Sequence, residues 1–322
     1  MSTPADRFLE AHPRAGPAWY LAVARVVGRV LMLPGLKRWR PLARRVHAVT
    51  QAAGRVTVLS EPGVSHRPDG GTLTVLSANL WHDWPRRQRW PERLEAFAKL
   101  AEAVDADILL LQEVARTHDL RADLWLAERL GLAMAFARAN GDVEAIGFEE
   151  GPAILSRFHL ADVHLRQLSH GHNPLARRVA LAAHAETPSG RLLVVSVHLG
   201  LVQRHNAGQI RRLRSWVTDV SAGDAAVIGG DFNAPEHRSE ITQTRRAWTD
   251  TFRIAHPHAD AVTHTRARPW GRLLHRRLDY VFVQQPTGAH WRVLECGHLD
   301  APGGPHSDHR AVVARLAPPT PR

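Results

Sequence analysis

The chain has 322 residues, of which 44% are apolar and 23% charged, with a formal net charge of +11. That is enough apolar material for a sizeable core in one large domain or two small ones. The single cysteine, Cys296, excludes an intramolecular disulfide and a cysteine-rich metal centre. It sits in an apolar run (WRVLECGHL) and reads as a buried, inert thiol.

Charge is unevenly placed. Residues 1–71 carry eleven Arg/Lys against four Asp/Glu, a balance of +7, which leaves +4 for the remaining 251 residues. A basic segment suits anionic partners such as nucleic acid or lipid headgroups, and high arginine use also fits genomic composition. The apolar stretch 18–36 (AWYLAVARVVGRVLMLPGL) is interrupted by Arg25 and Arg29. It is too short and too charged for a membrane span, and no convincing secretory signal precedes it. Its pattern predicts an amphipathic helix, packed on the body of the protein or lying on a membrane surface. A cytoplasmic or peripheral-membrane monomer is expected. Residues 61–71 (EPGVSHRPDGG) read as a linker closing a basic N-terminal extension, 1–71.

Beyond the linker the pattern becomes regular. Short apolar runs predict strands at 73–79, 107–113, 152–156, 179–184, 192–198, 226–231, 279–283, 291–296 and 311–316. Helices are predicted at 91–104, where Leu94, Phe97, Leu100, Ala101 and Val104 share a face behind Pro91, and at 118–130 and 203–220. About nine buried strands with helices outside indicate an α/β fold with one or two central sheets. Residues 318–322 form a short tail.

Several of these runs end or begin in a polar residue with chemical capacity. LTVLSAN ends at Asn79, DILLLQE at Glu113, LLVVSVH at His198 and AVIGGDFN at Asp231 and Asn233. RRLDYVFV is entered through Asp279, and HSDHRAVV through Asp308 and His309. If the second group runs antiparallel to the first, all eight side chains converge on one edge of the sheets, where open α/β sheets bind ligands. Glu113 and Asp308 are hard oxygen donors and Asn79 is a neutral one, a set that suits Mg²⁺ or Mn²⁺. The histidines lack the close spacing of common zinc motifs, which points away from zinc. His309 is a candidate base, Asp279 its tautomer-fixing partner, Asp231 an orienter of water, and His198 and Asn233 donors to phosphate. Together they point to hydrolysis of a phosphate ester. His170 and His172, just before Arg177 and Arg178, are read either as an exposed loop or as part of the substrate cleft, with His172 and Arg178 the contact candidates.

The segments SANLW (77–81), LLLQEV (109–114), AILSR (153–157), VSVHLG (195–200), GGDFNAP (229–235), RLDYVFV (277–283) and SDHRAVV (307–313) resemble the endonuclease/exonuclease/phosphatase superfamily. Gln209 fits the same pattern. The resemblance covers about residues 72–317. It implies a four-layer α/β sandwich of the DNase I type, with two mixed β-sheets packed face to face and helices outside. It implies metal binding through Glu113 assisted by Asn79 and Asp308, phosphate contacts from His198 and Asn233, water orientation by Asp231, and an Asp279–His309 pair. The AP-endonuclease branch carries a mid-chain tyrosine that has no counterpart here, since the tyrosines are Tyr20 and Tyr280. The inositol 5-phosphatase Trp-Cys-Asp-Arg element is likewise replaced, by HRRLDY. His198 favours the phosphodiesterase side, with a nuclease or a sphingomyelinase-like lipid phosphodiesterase as alternatives and a non-catalytic binding module as the last.

Overall fold

A computed structural model describes residues 56–59, 71–83, 86–143, 147–169, 177–267, 273–288 and 290–319. The helix expected at 18–36, all of the linker but Gly71, and both His170 and His172 lie outside these residues. In chain order the elements are β1 (Val56–Leu59), β2 (Leu73–Asn79), α1 (Trp90–Ala103), β3 (Ile108–Thr117), α2 (Ala122–Leu130), β4 (Ala133–Ala137), β5 (Asn140–Asp142), β6 (Phe148–Ser156), β7 (Leu160–Gln167) and β8 (Val179–Thr187). They continue with β9 (Gly190–His198), α3 (Gln203–Ser221), β10 (Ala226–Asp231), α4 (Ser239–Ala247), β11 (Thr249–Asp250), α5 (Thr251–Ala255), β12 (His264–Ala267), β13 (Leu273–Arg276), β14 (Asp279–Gln284), β15 (Arg292–Leu299) and β16 (Ala311–Ala317).

Two mixed sheets result. One has the order β1-β4-β6-β3-β2-β16-β15, with β5 also on β6, and the other β11-β14-β10-β9-β8-β7; β12 and β13 form a separate ribbon. The central strands are apolar on both faces because both faces are covered. Val75, Ile108, Leu110 and Ile154 of the first sheet pack against Leu181, Val194, Val227 and Val281 of the second. The alternate residues Leu76, Leu109 and Leu111 face outward to Leu94, Phe97, Trp125 and Leu126 of α1 and α2. On the far side Val195, Val197 and Ile228 meet Ile210, Leu213 and Trp216 of α3. The result is the expected four-layer sandwich. Helix α1 begins with Pro91 in its first turn and buries Leu94, Phe97 and Leu100. Each such side chain contributes about 1.5–3 kcal/mol relative to exposure.

The Gly-Gly pair before Asp231 is a packing requirement. A Cβ on Gly229 would lie 2.7 Å from Leu110 Cδ1 across the sheets, and one on Gly230 only 1.9 Å from the Val197 carbonyl oxygen. Larger side chains would push apart the strands that carry the site.

Sequence expectation and structure differ in places. Val56–Leu59 pairs antiparallel with β4, so the expected boundary at 71/72 falls after the first strand of the sheet. Strands β1, β4, β5, β7, β11, β12 and β13 are not among those expected from sequence. β4 is a five-residue run (AMAFA) following directly on α2, and β7 alternates in burial as an edge strand does. The strand expected at 107–113 continues to Thr117 through a bulge between Leu111 and Val114. Cys296 is buried as expected, 3.3 Å from Thr251 Oγ1, and burial pushes its thiol up to about 11. Among the described residues no helix is long and apolar enough to cross a membrane.

Candidate active site

The condition for convergence, that the entering strands run antiparallel to the leaving ones, is met by the register. β2 and β3 are parallel with Asn79 beside Gln112, and β9 and β10 are parallel with His198 beside Asp231. β14 runs antiparallel to β10 and sets Asp279 directly opposite Asp231. β16 runs antiparallel to β2, bringing the Asp308–His309 turn to the end where Asn79 leaves the core. All eight expected residues therefore lie at one edge of the sandwich.

Glu113 reaches the site because of the bulge in β3. Its φ is +54°, a left-handed conformation uncommon outside glycine, and the extra residue re-aims its side chain. The Asn79 amide donates to Glu113 Oε1 at 3.2 Å and to Asp231 Oδ2 at 3.3 Å, while its oxygen accepts from the Trp81 N–H at 3.0 Å. Asn79 thus orients two carboxylates here, where the sequence reading expected an oxygen donor. His82 lies against Glu113, its backbone N–H 3.3 Å and its Nε2 3.5 Å from Oε2. Burial alone would raise the Glu113 carboxyl. His82, His198, the Asn79 amide and Arg178 reverse this and bring it down to about 2, so it is a fixed anion.

On the other sheet, Asp231 accepts from the Asn233 backbone N–H at 2.8 Å and the Asn233 amide at 3.2 Å. His198 Nε2 lies 3.5 Å from Asp231 Oδ2. Burial and the facing Asp279 push Asp231 up to about 7. Burial and Arg178 hold His198 well below its usual value. His309 Nδ1 is 2.8 Å from Asp279 Oδ2. Burial opposes charge on His309, but Asp279, with Asp231 and Asp308 behind it, raises the imidazole to about 10. Asp279 Oδ1 is buried and has no hydrogen-bond partner. Oxygens of Asp231 and Asp279 and a ring nitrogen of His309 all lie within 4.8 Å of one another.

The scaffold behind these groups is polar and well tied. Gln209 Oε1 accepts from the Gly200 N–H at 2.8 Å, and the Asn206 amide donates to the carbonyls of Gly200 and Phe232, fastening the turns after His198 and Asp231. Tyr280 donates to the Ala234 carbonyl at 2.8 Å. Buried Arg277 forks onto Asp250 at 2.6 and 2.9 Å and reaches Glu236 at 2.7 Å, anchoring the entry to β14.

A model of the endonuclease/exonuclease/phosphatase family matches residues 76–309, most of the chain and every motif at the site. The chain belongs to this family. The uncharacterized protein YbhP of Escherichia coli K12 is 30% identical over 178 residues, half of this chain and 67% of the relative. An endonuclease/exonuclease/phosphatase from Bacteroides vulgatus superposes with a TM-score of 0.62 at 18% identity, covering 77% of this chain and 99% of the other. The catalytic domain of human Nocturnin does so with a TM-score of 0.62 at 20% identity, covering 82% and 97%. The latter two share the DNase I-like fold. Members of the endonuclease/exonuclease/phosphatase family are phosphoester hydrolases and generally depend on a divalent metal. The donor chemistry here fits such an ion: an anionic Glu113, Asp308 near enough to sense its charge, and an orphaned Asp279 oxygen.

Of the expected contact residues, Arg178 lies close to the site. Its backbone N–H donates to Ser169 Oγ at 3.1 Å, and its charge is felt by both Glu113 and His198. His172 falls outside the described residues. Three groups at the site were not found from sequence. His82 follows SANLW by one residue, a proximity that could have flagged it. Arg93 donates from α1 to the carbonyls of Leu80, Trp81 and His306, linking the two loops that carry Asn79 and Asp308. His264 packs on His309 with ring centroids 4.5 Å apart. Neither Arg93 nor His264 belongs to a motif whose spacing reveals its place.

Proposed function

We propose that this chain is a Mg²⁺- or Mn²⁺-dependent phosphodiesterase. The observation that carries the reading is the Asp231–Asp279 register, which sets a buried carboxylate and the Asp279-bound His309 face to face, with Glu113 alongside. Glu113 and Asp308 would hold the metal, with Asn79 fixing the Glu113 carboxylate. When bound, the ion would neutralise phosphoryl oxygens and favour ionisation of a nearby water.

The protein groups divide the remaining work by charge. Asp231, raised by burial and by Asp279, has a proton affinity suited to accepting a proton from the attacking water near neutral pH. His309, kept protonated by Asp279, carries positive charge toward the phosphoryl oxygens. Between His309 and Asp231 as the base, a choice the sequence leaves open, this favours Asp231. His198, 3.5 Å from Asp231, and the Asn233 amide, 3.2 Å from it, would hold the phosphate against it. Arg178 adds positive charge at the rim.

The test is hydrolysis of bis-p-nitrophenyl phosphate by the purified chain with Mg²⁺ or Mn²⁺, with Glu113→Ala as the blank. A wild type that is inert with both metals and indistinguishable from the blank would refute the proposal. p-Nitrophenyl phosphate measured alongside separates diester from monoester preference.

A further inference from the structure

His264 stands outside every motif that marked the site, yet the fold delivers it there. It opens β12, forms an isolated antiparallel bridge with His309, and lies 45 residues before it in sequence. The two imidazoles are tilted by 36° with centroids 4.5 Å apart, and His264 Nε2 is 3.9 Å from Asp308 Oδ2. One ring nitrogen from each histidine and one Asp308 oxygen all lie within 4.8 Å of one another.

This donor set differs in kind from the one around Glu113. Two imidazoles and a carboxylate suit a borderline transition ion, whereas a set of carboxylates alone suits Mg²⁺. Histidine spacing along the chain pointed away from zinc because the ligands come from distant elements. His309 already has what a metal-bound imidazole needs behind it. Asp279 occupies Nδ1 at 2.8 Å, which fixes the ring and leaves Nε2 as the free nitrogen.

We propose that His264, Asp308 and His309 form a second cation site, taking a transition metal such as Zn²⁺, whose occupation holds the catalytic site inactive. Donors around a tetrahedral Zn²⁺ stand about 3.4 Å apart. Closing the site therefore needs a contraction on the order of 1 Å. Asp308 has the most room to move, its side chain being 40% exposed against 17% for His264 and 8% for His309. Any proton on the His309 nitrogen that binds the ion leaves to solvent. Zn²⁺ then occupies the imidazole that would otherwise face the phosphoryl group, and it takes Asp308 from the Mg²⁺ set. The inhibitory consequence rests on the proposed function; the binding site does not.

The experiment is calorimetric titration of the full chain with Zn²⁺, in parallel with His264→Phe, which keeps a ring against His309 but removes a ligand. Wild type is expected to bind one equivalent at this site, and His264→Phe to bind it at least about tenfold more weakly. Whatever Mg²⁺-dependent hydrolysis His264→Phe retains should have lost its sensitivity to micromolar Zn²⁺. Equal Zn²⁺ affinity and stoichiometry in the two proteins would overturn the site. A second measurement uses wild type alone: Zn²⁺ should shift the imidazole resonances of His264 and His309, and unmoved resonances would also overturn it. A chain that binds Zn²⁺ in this way but hydrolyses nothing would refute the proposed function and leave the site standing.

Discussion

Replacing Asp279 by Asn tests the central electrostatic claim. The side chain keeps its size, and one oxygen can still accept from His309 Nδ1, so the change removes mainly charge. Burial by itself depresses the His309 imidazole, and Asp279 is the chief group that lifts it from the usual 6.5 to about 10. Each tenfold change in proton affinity corresponds to about 1.4 kcal/mol, so the ion pair favours the imidazolium by roughly 3–5 kcal/mol. In Asp279→Asn the His309 midpoint should fall by at least about two pH units, since only Asp231 and Asp308 still oppose burial. The readout is titration of the imidazole by NMR in both proteins. kcat should drop by about 10²- to 10⁴-fold near neutral pH, with a smaller change in KM. A raised folded-state value adds stability that is complete below the unfolded value of 6.5 and is lost as pH rises through about 10. The stability gap between the two proteins, measured with urea, should therefore be widest below pH 6.5 and narrow towards pH 10. A His309 midpoint within about half a unit of wild type would refute the reasoning, because an immovable titration means Asp279 is not what holds the proton.

Other outcomes follow from the same geometry. In wild type, kcat/KM should rise as Asp231 ionises around 7 and fall as His309 deprotonates around 10; a bound dication moves both limbs lower by favouring the anion and repelling the cation. A pH–rate profile checks this, and an acid limb that persists unchanged in the residual activity of Asp231→Asn would remove Asp231 as the proton acceptor. Gly230→Ala forces a methyl against the Val197 carbonyl and should cost about 3 kcal/mol or more in urea unfolding. Gly297→Ala, whose nearest neighbour would be Val313 Cγ1 at 3.7 Å, should stay within about 1 kcal/mol of wild type. Arg277→Met strands Asp250 without its buried partner and should cost about 3–5 kcal/mol by the same measurement, and Arg277→Lys should recover only part because it cannot fork onto two oxygens.

Much of the site was legible in the chain because its polar residues interrupt apolar runs. A strand covered on both faces has no place for Asn79, His198 or Asp231 except where it leaves the core, so these strand ends can be read from local pattern alone, whereas Glu113 lies within β3 at its bulge. The same pattern reports burial and period, from which the two-sheet sandwich with outer helices follows. Pairing partners and directions are not local properties. Only the tertiary structure set Asp279 opposite Asp231, because that register depends on strands 48 residues apart in the chain packing in one sheet. The bulge that turns Glu113 inward came from the fit of β3 against β6. The turn of the Asn79 amide, with its oxygen on Trp81 and its N–H groups on two carboxylates, came from its surroundings. His264 and Arg93 reach the site through loops and a helix whose sequences carry no trace of that destination. Residue types and their order along the chain thus determined which chemistry was present, and close packing of the two sheets decided which groups share a proton, a charge or an ion.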